Sequence, residues 1–386
     1  MGSSDKKRAV IISCFDWYES RLKPIKTILE DKGYRVIVLT SDYDHIKKEK
    51  INRRNPDCIY ISVKEYKKNI SFARLNSHYI FAKKVLKQLN TIHPDLVYTL
   101  VPPNSVADVC KKYKHSNPNS KLVFDVIDLW PESMPGEKFH NTLPFQYWRR
   151  LRDNSLKEAD HIFTECRLYQ EKFDPTLRDK CSTLFLYKKD NKIFENMDKK
   201  KNQLKRKDGK NALKLCYLGS INHIIDIEGI SHVVDILSRN YAVEVKVIGK
   251  GENKDAFLNA LKKTGAEVNY YGAIYDEKEK FALLKDCDFA LNMMVESVSV
   301  GLTTKSIDYL SYGLALINNI KGDTWTLVNE KRVGINYDGD DGRFMADIQD
   351  SMIRESKAIH EIYREMFSEE AFIISFKHGM KNIISK

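Results

Sequence analysis

The sequence contains no apolar run that approaches the roughly 20 residues of a membrane-spanning helix. Its seven cysteines are scattered and none stands in a CxxC pair, which argues against a disulfide framework and against a zinc site. The stretch AVIISCF near the start is typical of a strand, whereas a signal peptide has a longer apolar core. From these absences we expect a cytoplasmic protein.

The composition is that of a folded protein with a basic surface. Of the 386 residues, 42% are hydrophobic and 11% are aromatic, and this length exceeds what one hydrophobic core usually supports. The net charge of +11 at pH 7 is compatible with an anionic partner, which could be a nucleic acid, a membrane surface or a small molecule, and equally with a solvated charged surface. No DNA- or RNA-binding motif is present, so we expect no nucleic-acid partner. The oligomeric state is left open.

Short apolar runs alternate with amphipathic stretches in both halves of the chain. In the first half, the runs at 9–15 and 34–41 flank a helix-period segment, and the same alternation restarts with LKLCYLGS at 213–220. Strands that alternate with helices indicate a parallel sheet covered by helices. The sequence therefore predicts an α/β protein with two Rossmann-like, doubly wound domains, whose ligands bind beyond the carboxyl ends of the strands.

The stretch MDKKKNQLKRKDGK separates the two halves and carries like charges without an apolar period, as linkers do. We expect four segments: an N-terminal domain, a basic linker, a C-terminal domain, and a C-terminal helix that packs back toward the N-terminal domain. Their limits are 5–190, 191–212, 213–365 and 366–386.

The most informative stretch is VESVSVGLTTKSIDYLSYGLALINN, residues 295–319. A glycine-containing loop follows a predicted strand, Thr303 or Thr304 can cap the next helix, and Lys305 and Asp308 fall in its first turns. Free N–H groups at a helix N-terminus beside an ammonium group form a phosphate site. A carboxylate one turn further can accept hydrogen bonds from a ribose diol, so this stretch predicts a nucleotide site.

The order and spacing of this stretch resemble the pattern K-x-x-E-Y-x-x-x-G-x-P-x-I of the GT-B glycosyltransferases of family four, which are retaining enzymes that use nucleotide sugars. The matching residues are Lys305, Asp308, Tyr309, Gly313 and Ile317. Asp308 stands for the Glu of the pattern, and Ala315 stands for its Pro. The first residue of the family's Glu pair falls on Val300, and the nearest carboxylate is that of Glu296.

Three further segments resemble the family's donor-site elements in the expected order: CYLGSI at 216–221, VIGKGE at 247–252 and YYGAIYDEKEK at 270–280. The resemblance implies that the donor is bound by Gly219, Ser220, Gly249, Lys250, Gly272, Ile274, Thr303, Thr304, Lys305 and Asp308. The family's Arg and Lys after the first strand are missing, because the segment INHIIDIEG has only His223 as a basic residue and contains Asp226. Lys305, Lys250 and the helix N-terminus would then neutralise the diphosphate without a metal, and no DxD motif is present.

In the first domain, DVIDLWPESMP at 125–135 resembles the D-x-W-P segment of envelope-polysaccharide members of the family. The expected acceptor-binding residues are Asp16, Glu19, Asn104, Ser105, Trp130 and Glu132. The expected catalytic residues are Lys305, Asp128 and His78, and His45 is a further candidate for an acid, a base or an oxygen contact. A proline-rich turn around a core Trp, and structural histidines, are the alternatives.

The segment FQYWRRLR at 145–152 combines aromatic residues with arginines, a composition attracted to anionic lipid. An ordinary amphipathic helix is the alternative interpretation.

Taken together, the resemblance implies a GT-B fold, with two Rossmann-like domains facing a central cleft, and a retaining hexosyltransferase. The enzyme would transfer a sugar from a UDP-, GDP- or dTDP-linked donor to a glycan or polyprenol-linked acceptor in capsule or exopolysaccharide biosynthesis, peripherally at the inner face of the cell membrane. We expect no other cofactor and no metal. The alternative is a non-catalytic GT-B-like subunit or sugar-binding partner in a glycosylation complex, which the missing Glu and the missing Arg and Lys keep open.

Overall fold

The computed structural model describes residues 6–15, 19–52, 54–69, 71–134, 142–189, 206–207, 210–298, 300–350 and 355–384. The chain divides into two compact units. The first comprises Met1–Leu186 and Phe372–Lys386, and the second comprises Tyr187–Ala371. Most of the predicted linker lies outside the described residues, and the predicted domain limits stay predictions.

The first unit is built on a parallel sheet. Its strands are β1 (Arg8–Ser13), β2 (Arg35–Ser41), β3 (Tyr43–Asp44), β4 (Glu49–Lys50), β5 (Cys58–Ile61), β6 (Leu96–Val101), β7 (Lys121–Val126), β8 (His161–Thr164) and β9 (Cys181–Thr183). The sheet has the order β5-β2-β1-β6-β7-β8-β9, and β3 and β4 form a separate antiparallel pair. The apolar run of β1 is explained by its central place, since Ala9, Val10, Ile11 and Ile12 are fully buried.

The helices of the first unit follow its strands in alternation. They are α1 (Glu19–Asp31), α2 (Phe72–Ile92), α3 (Asn104–Ser116), α4 (Leu143–Leu156) and α5 (Arg167–Glu171), followed by a 3-10 helix over Pro175–Lys180. Ser71 caps α2, because its side chain accepts a hydrogen bond from the amide of Arg74 at 3.2 Å. This cap fixes the helix start that places Arg74 and His78 in the first two turns.

The second unit repeats the topology. Its strands are β10 (Arg206–Lys207), β11 (Lys210–Leu218), β12 (Tyr241–Ile248), β13 (Glu267–Gly272), β14 (Phe289–Asn292), β15 (Ala315–Asn318) and β16 (Gly334–Asn336). The parallel order is β13-β12-β11-β14-β15-β16, and β10 pairs with β11 in antiparallel fashion. In both sheets the first long strand lies in the centre, and the order of strands reverses beside it, as in Rossmann-like folds.

The helices that follow are α6 (Ile227–Asn240), α7 (Lys254–Lys262), α8 (Glu277–Leu284), α9 (Thr304–Ser311), α10 (Asp323–Lys331), α11 (Asp341–Asp350), α12 (Ser356–Phe367) and α13 (Glu369–Gly379). The residues of α13 from Phe372 onward belong to the first unit, where Phe376 stacks on Phe163 with 5.4 Å between ring centres.

The predicted α/β class with two doubly wound parallel sheets is confirmed by this topology. Within the described part of the chain, no helix combines the length and the apolar content needed to cross a bilayer. Ligands of doubly wound sheets bind at the carboxyl ends of the strands, beside the reversal of strand order.

Candidate functional site

Three strands of the second unit end in glycines whose backbones pack directly together. The amide of Gly219, after β11, donates to the carbonyl of Ile248 at 2.9 Å, and the amide of Gly249, after β12, donates to that of Gly272 at 2.7 Å. A Cβ atom on Gly249 would lie 1.9 Å from the carbonyl oxygen of Gly219. A side chain at this position is therefore excluded by the close packing of the two backbones.

Lys305 lies over the same edge, in the first turn of α9. Thr303 is the cap of this helix, since its hydroxyl accepts a hydrogen bond from the amide of Ser306 at 3.0 Å. The Lys305 ammonium donates to the Tyr217 hydroxyl at 2.5 Å and to the Ser220 carbonyl at 3.3 Å. A Cβ atom on Gly219, whose φ is +130°, would lie 2.8 Å from Cε of Lys305.

The charge of Lys305 is not paired with a carboxylate among the described residues; the ammonium contacts the Tyr217 hydroxyl, the Tyr217 ring at 4.6 Å and the Ser220 carbonyl. Burial lowers the pKa of Lys305 to about 8. The first amides of α9 have no acceptor within their own helix, and the positive end of the helix dipole lies there. An ammonium and free amides beside glycine backbone form a site that fits a phosphate group.

Tyr309 fixes α9 against the central strand. Its side chain is fully buried, and its hydroxyl accepts a hydrogen bond from the amide of Leu218 at 2.8 Å. Leu218 is the last residue of β11, so this bond sets the position of the helix along the strand and keeps Lys305 above Gly219. The family pattern includes Tyr309, but the sequence gives no sign of this anchoring role.

Asp308 lies one turn beyond Lys305 and is part of an ion-pair network. Lys188 contacts the Asp308 carboxylate at 2.9 Å and the Glu277 carboxylate at 3.1 Å. The Tyr312 hydroxyl donates to Glu277 at 2.6 Å. Although burial opposes ionisation, the hydrogen bonds from Lys280 and Tyr312 and the charge of Lys188 lower the pKa of Glu277 to about 2. Sequence reasoning missed Lys188 and Glu277, because their pairing joins distant parts of the chain.

The other predicted donor residues lie on the loops after the strands. The Ser220 and Thr304 side chains are exposed, and Ile274 is half-buried. Lys250 is exposed near the Tyr275 ring, at 5.8 Å from its centre, and a hydrogen bond with Tyr275 raises the pKa of Lys250. All belong to segments that follow β11, β12 or β13, or to the start of α9.

The positions where the sequence departs from the family pattern have local roles. Asp226 caps α6, because its carboxylate accepts from the amide of Gly229 at 2.8 Å. His223 is exposed and lies 3.3 Å from the carboxylate of Glu252. Val300 is half-buried, and Glu296 is exposed in the loop before α9. Among the described residues, no group of three or more His, Cys, Asp or Glu side chains is arranged to hold a metal.

In the first unit, two predicted carboxylates are engaged with neighbouring protein groups. The Asp128 carboxylate accepts from the Trp130 indole at 2.6 Å and from the Ser133 hydroxyl, and burial raises its pKa. Glu132 pairs with the buried guanidinium of Arg152 through contacts of 2.7 and 2.9 Å. These bonds stabilise the turn after β7, and the predicted catalytic and acceptor roles of the two residues stay predictions.

The remaining predicted residues of the first unit converge near that turn. The Asn104 amide, fully buried at the start of α3, donates to the carbonyls of Trp130 and Trp148 at 3.0 Å each. The Ser105 hydroxyl donates to the His78 carbonyl at 3.4 Å. Asp16 lies outside the described residues, and so does the side chain of Glu19, the first residue of α1.

The predicted catalytic residue His78 is buried among aromatic rings. Its ring stacks on that of Trp130 with 6.0 Å between centres and meets the edges of Phe15 and Tyr66 at 5.7 and 6.2 Å. Burial lowers the pKa of His78 well below its ordinary value, and the charge of Arg74 acts in the same direction. His78 is therefore neutral at physiological pH and a weak base.

No family model matches the sequence, and no curated protein sequence matches it significantly. Solved structures do match over nearly the whole chain. Sucrose-phosphate synthase from Thermosynechococcus elongatus has a TM-score of 0.67 at 13% identity, and the match covers 98% of this chain and 99% of that protein.

Two further structures match similarly. The lipopolysaccharide outer core galactosyltransferase WaaB has a TM-score of 0.64 at 12% identity, with 97% and 99% of the two chains covered. The Anabaena protein HepE, solved in complex with UDP, has a TM-score of 0.62 at 13% identity, with 98% and 100% covered. These neighbours are glycosyltransferases of the GT-B type. The chain has the GT-B fold. At these identities the likeness establishes the fold, and the activity has to be argued from the site.

Proposed function

We propose that this GT-B protein is a glycosyltransferase that transfers a sugar from a nucleotide-diphosphate donor. The observation that carries the proposal is the Lys305 ammonium, which has no carboxylate partner in the described part of the chain and lies at the start of α9 beside Gly219. Transfer of a sugar leaves negative charge on the departing diphosphate. Fixed donors aimed at that charge stabilise the transition state without reorganisation.

The donor half of the site would work through three elements. The ammonium of Lys305 and the first amides of α9 bind the diphosphate, and the absence of a side chain at Gly219 leaves room for the Lys305 side chain. Asp308 binds the ribose hydroxyls, with Lys188 holding its carboxylate in place. Support for a uridine donor comes from HepE, which was solved with UDP and with UDP-glucose. The family-four pattern supports a retaining hexosyl transfer, and the proposal includes no metal.

For the acceptor we propose a glycan or polyprenol-linked glycan of bacterial surface polysaccharide, presented at the inner face of the membrane. The first unit carries exposed apolar side chains on two helices, Phe72, Leu75 and Tyr79 on α2, and Leu143 and Tyr147 on α4. Lys112 on α3 interacts electrostatically with both Tyr79 and Tyr147, which indicates that the two tyrosines lie near one another. Aromatic rings beside basic residues are the composition that peripheral membrane proteins present to anionic lipid.

Nucleotide binding is the direct test of the donor site. We expect UDP, GDP or dTDP to raise the melting temperature of the full chain, since a ligand that binds only the folded state stabilises it. Lys305→Ala should remove this shift, whereas Lys262→Ala, which removes an exposed lysine at the end of α7, should keep it. A wild-type protein that responds to none of the three nucleotides, or a Lys305→Ala variant that responds fully, would contradict the proposal.

The second candidate is a non-catalytic GT-B-like subunit or sugar-binding partner. It is favoured by Val300, an aliphatic residue where the family pattern has a carboxylate. The two candidates differ in outcome: a binding subunit would be stabilised by a nucleotide sugar and would leave it intact, whereas the transferase would release nucleoside diphosphate when an acceptor is added. Nucleotide release measured with and without membrane-extracted acceptor separates them.

A further inference from the structure

Three neighbouring strands of the second sheet end in asparagines that lie side by side. Asn292 is the last residue of β14, Asn318 is the last of β15, and Asn336 is the last of β16. The strand register pairs Asn292 with Asn318, and Asn318 with Asn336. Paired residues of parallel strands point to the same face of the sheet, so the three side chains form one row, here called the asparagine row.

The amides of the asparagine row are joined by hydrogen bonds. Nδ2 of Asn292 donates to Oδ1 of Asn318 at 2.9 Å, and Nδ2 of Asn318 donates to Oδ1 of Asn336 at 2.7 Å. Asn292 and Asn318 are both buried. A buried amide is unfavourable unless it is hydrogen-bonded, and apolar side chains would fill the end of a buried strand without that cost. The row is therefore better explained by what it holds in place than by the core.

The inner end of the row holds the start of α9. Nδ2 of Asn292 also donates to the Ser306 hydroxyl at 3.1 Å, and Ser306 is fully buried. The Ser306 hydroxyl lies 2.8 Å from the hydroxyl of Thr303, the residue that caps the helix. Lys305 stands between these two residues in the sequence. The row therefore fixes the backbone that carries the Lys305 ammonium.

The outer end of the row is tied to α10, which in turn holds the loop before α9. Nδ2 of Asn336 donates to the Trp325 carbonyl at 3.0 Å and to the Asn329 amide oxygen at 2.8 Å. Thr324, in the first turn of α10, donates to the Gly301 carbonyl through its amide and through its hydroxyl, each at 2.8 Å. The start of α9 is thus held from two sides, and the row connects the two through the sheet.

Lys305 depends on such support, because no carboxylate fixes its ammonium among the described residues. The ammonium is bonded to the Tyr217 hydroxyl and the Ser220 carbonyl, which are neutral groups. Hydrogen bonds to neutral acceptors are weaker than those to carboxylates, so they position the side chain less firmly. Placement matters in catalysis, since a shift of about 1 Å in a reacting geometry can reduce the rate by about 100-fold.

We propose that Asn292 and Ser306 are positioning residues of the donor site, and that the asparagine row holds Lys305 and the first amides of α9 in the geometry that binds a diphosphate. The use of this geometry in diphosphate binding rests on the proposed function, whereas the placement of Lys305 by the row does not. Asn292 and Ser306 are buried, and they act through the backbone of residues 303–306.

Nucleotide binding to the full chain, measured by calorimetry with UDP, GDP and dTDP, tests the positioning role. Asn292→Ala and Ser306→Ala should each weaken binding by about threefold to tenfold, the usual effect of losing one hydrogen bond. The double variant should bind no more weakly than either single variant, since both changes remove the same contact. Asn269→Ala is the matched control and should leave the affinity unchanged, because the Asn269 amide is half-buried on the edge strand β13 and donates to Glu244 at 3.2 Å.

The pKa of Lys305 gives a second readout, which loss of stability alone would not move. Burial lowers this pKa from 10.5 to about 8, so a displaced start of α9 should expose the ammonium and return the pKa toward 10.5. The pH dependence of Lys305 labelling by an amine-reactive reagent, followed by mass spectrometry of the folded protein, measures it. Ser306→Ala guards against loss of folding, because alanine favours a helix and leaves the asparagine row intact.

The outcomes separate this inference from the donor site itself. If a nucleotide binds the wild type, equal affinities in Asn292→Ala, Ser306→Ala and Asn269→Ala overturn the positioning role. A Lys305 pKa that is unchanged in Asn292→Ala and Ser306→Ala also overturns it, whether or not a nucleotide binds. A wild type that binds none of the three nucleotides contradicts the donor site, and a raised Lys305 pKa in Asn292→Ala would then still assign the placement of Lys305 to the row.

Discussion

In the second unit Gly219 follows the central strand β11, Gly249 follows β12, and β13 ends in Gly272, so the edge of the sheet consists largely of backbone. In the first unit the central strand β1 runs into Cys14 and Phe15, and the space beyond it is filled by rings and by Arg74. The order of the first six strands is the same in both sheets, and the first sheet continues with β9. Topology therefore sets where a ligand can bind, and the residues after each strand decide which chemistry is present.

The two edges also differ in how they carry positive charge. Lys305 is a flexible ammonium that is bonded to a hydroxyl and a carbonyl and can turn toward a ligand. Arg74 is a planar guanidinium fixed between three rings. A diphosphate leaving group needs charge stabilisation that grows during the reaction, which suits the first arrangement.

The largest expected effect is on the rate of sugar transfer, which should distinguish Lys305 from His78. Lys305→Ala should reduce sugar transfer by about 100- to 1,000-fold, the typical loss when one donor to a developing charge is removed. His78→Asn, which keeps hydrogen-bonding groups in the first unit, should reduce it by less than about tenfold, because burial holds the pKa of His78 well below its usual range and makes the imidazole a weak base. Product formation with saturating donor measures both. If His78→Asn lost as much activity as Lys305→Ala, the roles proposed here for the two residues would be wrong.

The close packing of backbones at the second edge can be broken with a single methyl group. Gly249→Ala would place a carbon 1.9 Å from the carbonyl oxygen of Gly219, and we expect it to destabilise the protein by about 3 kcal/mol. Gly265→Ala is the matched control, because Gly265 has φ of +76° but no atom within 4 Å of an added Cβ, and only about 1 kcal/mol of backbone strain is expected there. Urea unfolding of the two variants compares the costs directly, and equal midpoints would show that the strand ends do not pack as described.

The protonation of Lys305 gives a prediction about pH. Because burial lowers its pKa from 10.5 to about 8, the ammonium form is lost as the pH rises through 8. Nucleotide affinity should therefore weaken by about tenfold for each pH unit above this value until the ligand-bound form titrates. Stability changes in the opposite direction: between the two pKa values the unfolded chain binds more protons, so the free energy of unfolding rises with pH.

Lys305→Arg is the control for this pH dependence, since a guanidinium stays charged throughout the range. Its nucleotide affinity, measured by calorimetry from pH 7 to 9.5, should change less than that of the wild type. The same slope in both proteins would assign the effect to another group.

The local geometry around Lys305 could be predicted from the sequence much better than the burial of Arg74, for a physical reason. Thr303, Lys305 and Gly219 stand in local patterns, a helix cap and a strand-ending glycine, whose geometry follows from neighbouring residues. Arg74 lies inside an amphipathic helix, where most arginines face solvent, and nothing in the sequence indicates that it is buried.

Long-range pairs were equally beyond prediction. Lys188 contacts Asp308 from 120 residues away along the chain. The hydroxyl of Tyr217, on β11, accepts the hydrogen bond of Lys305, although 88 residues separate the two. Periodicity and spacing describe neighbours along the chain, whereas these contacts depend on how the strands are ordered. Asp128 and Glu132 show the same limit, because the sequence does not reveal that their carboxylates contact Trp130 and Arg152, respectively.

The smallest expected effect concerns the exposed apolar side chains of the first unit. Phe72 is 91% exposed at the start of α2, and Ile374 on α13 is 67% exposed, so the two offer matched substitutions on different helices. If α2 contacts lipid, Phe72→Ser should weaken binding to vesicles of phosphatidylcholine with phosphatidylglycerol by about threefold to tenfold, because it removes one ring from the apolar phase. Ile374→Ser should leave vesicle binding unchanged. Equal losses would show that the apolar side chains of α2 do not contact lipid preferentially. The basic charge of the chain would then be the source of any membrane affinity, and high salt would abolish it.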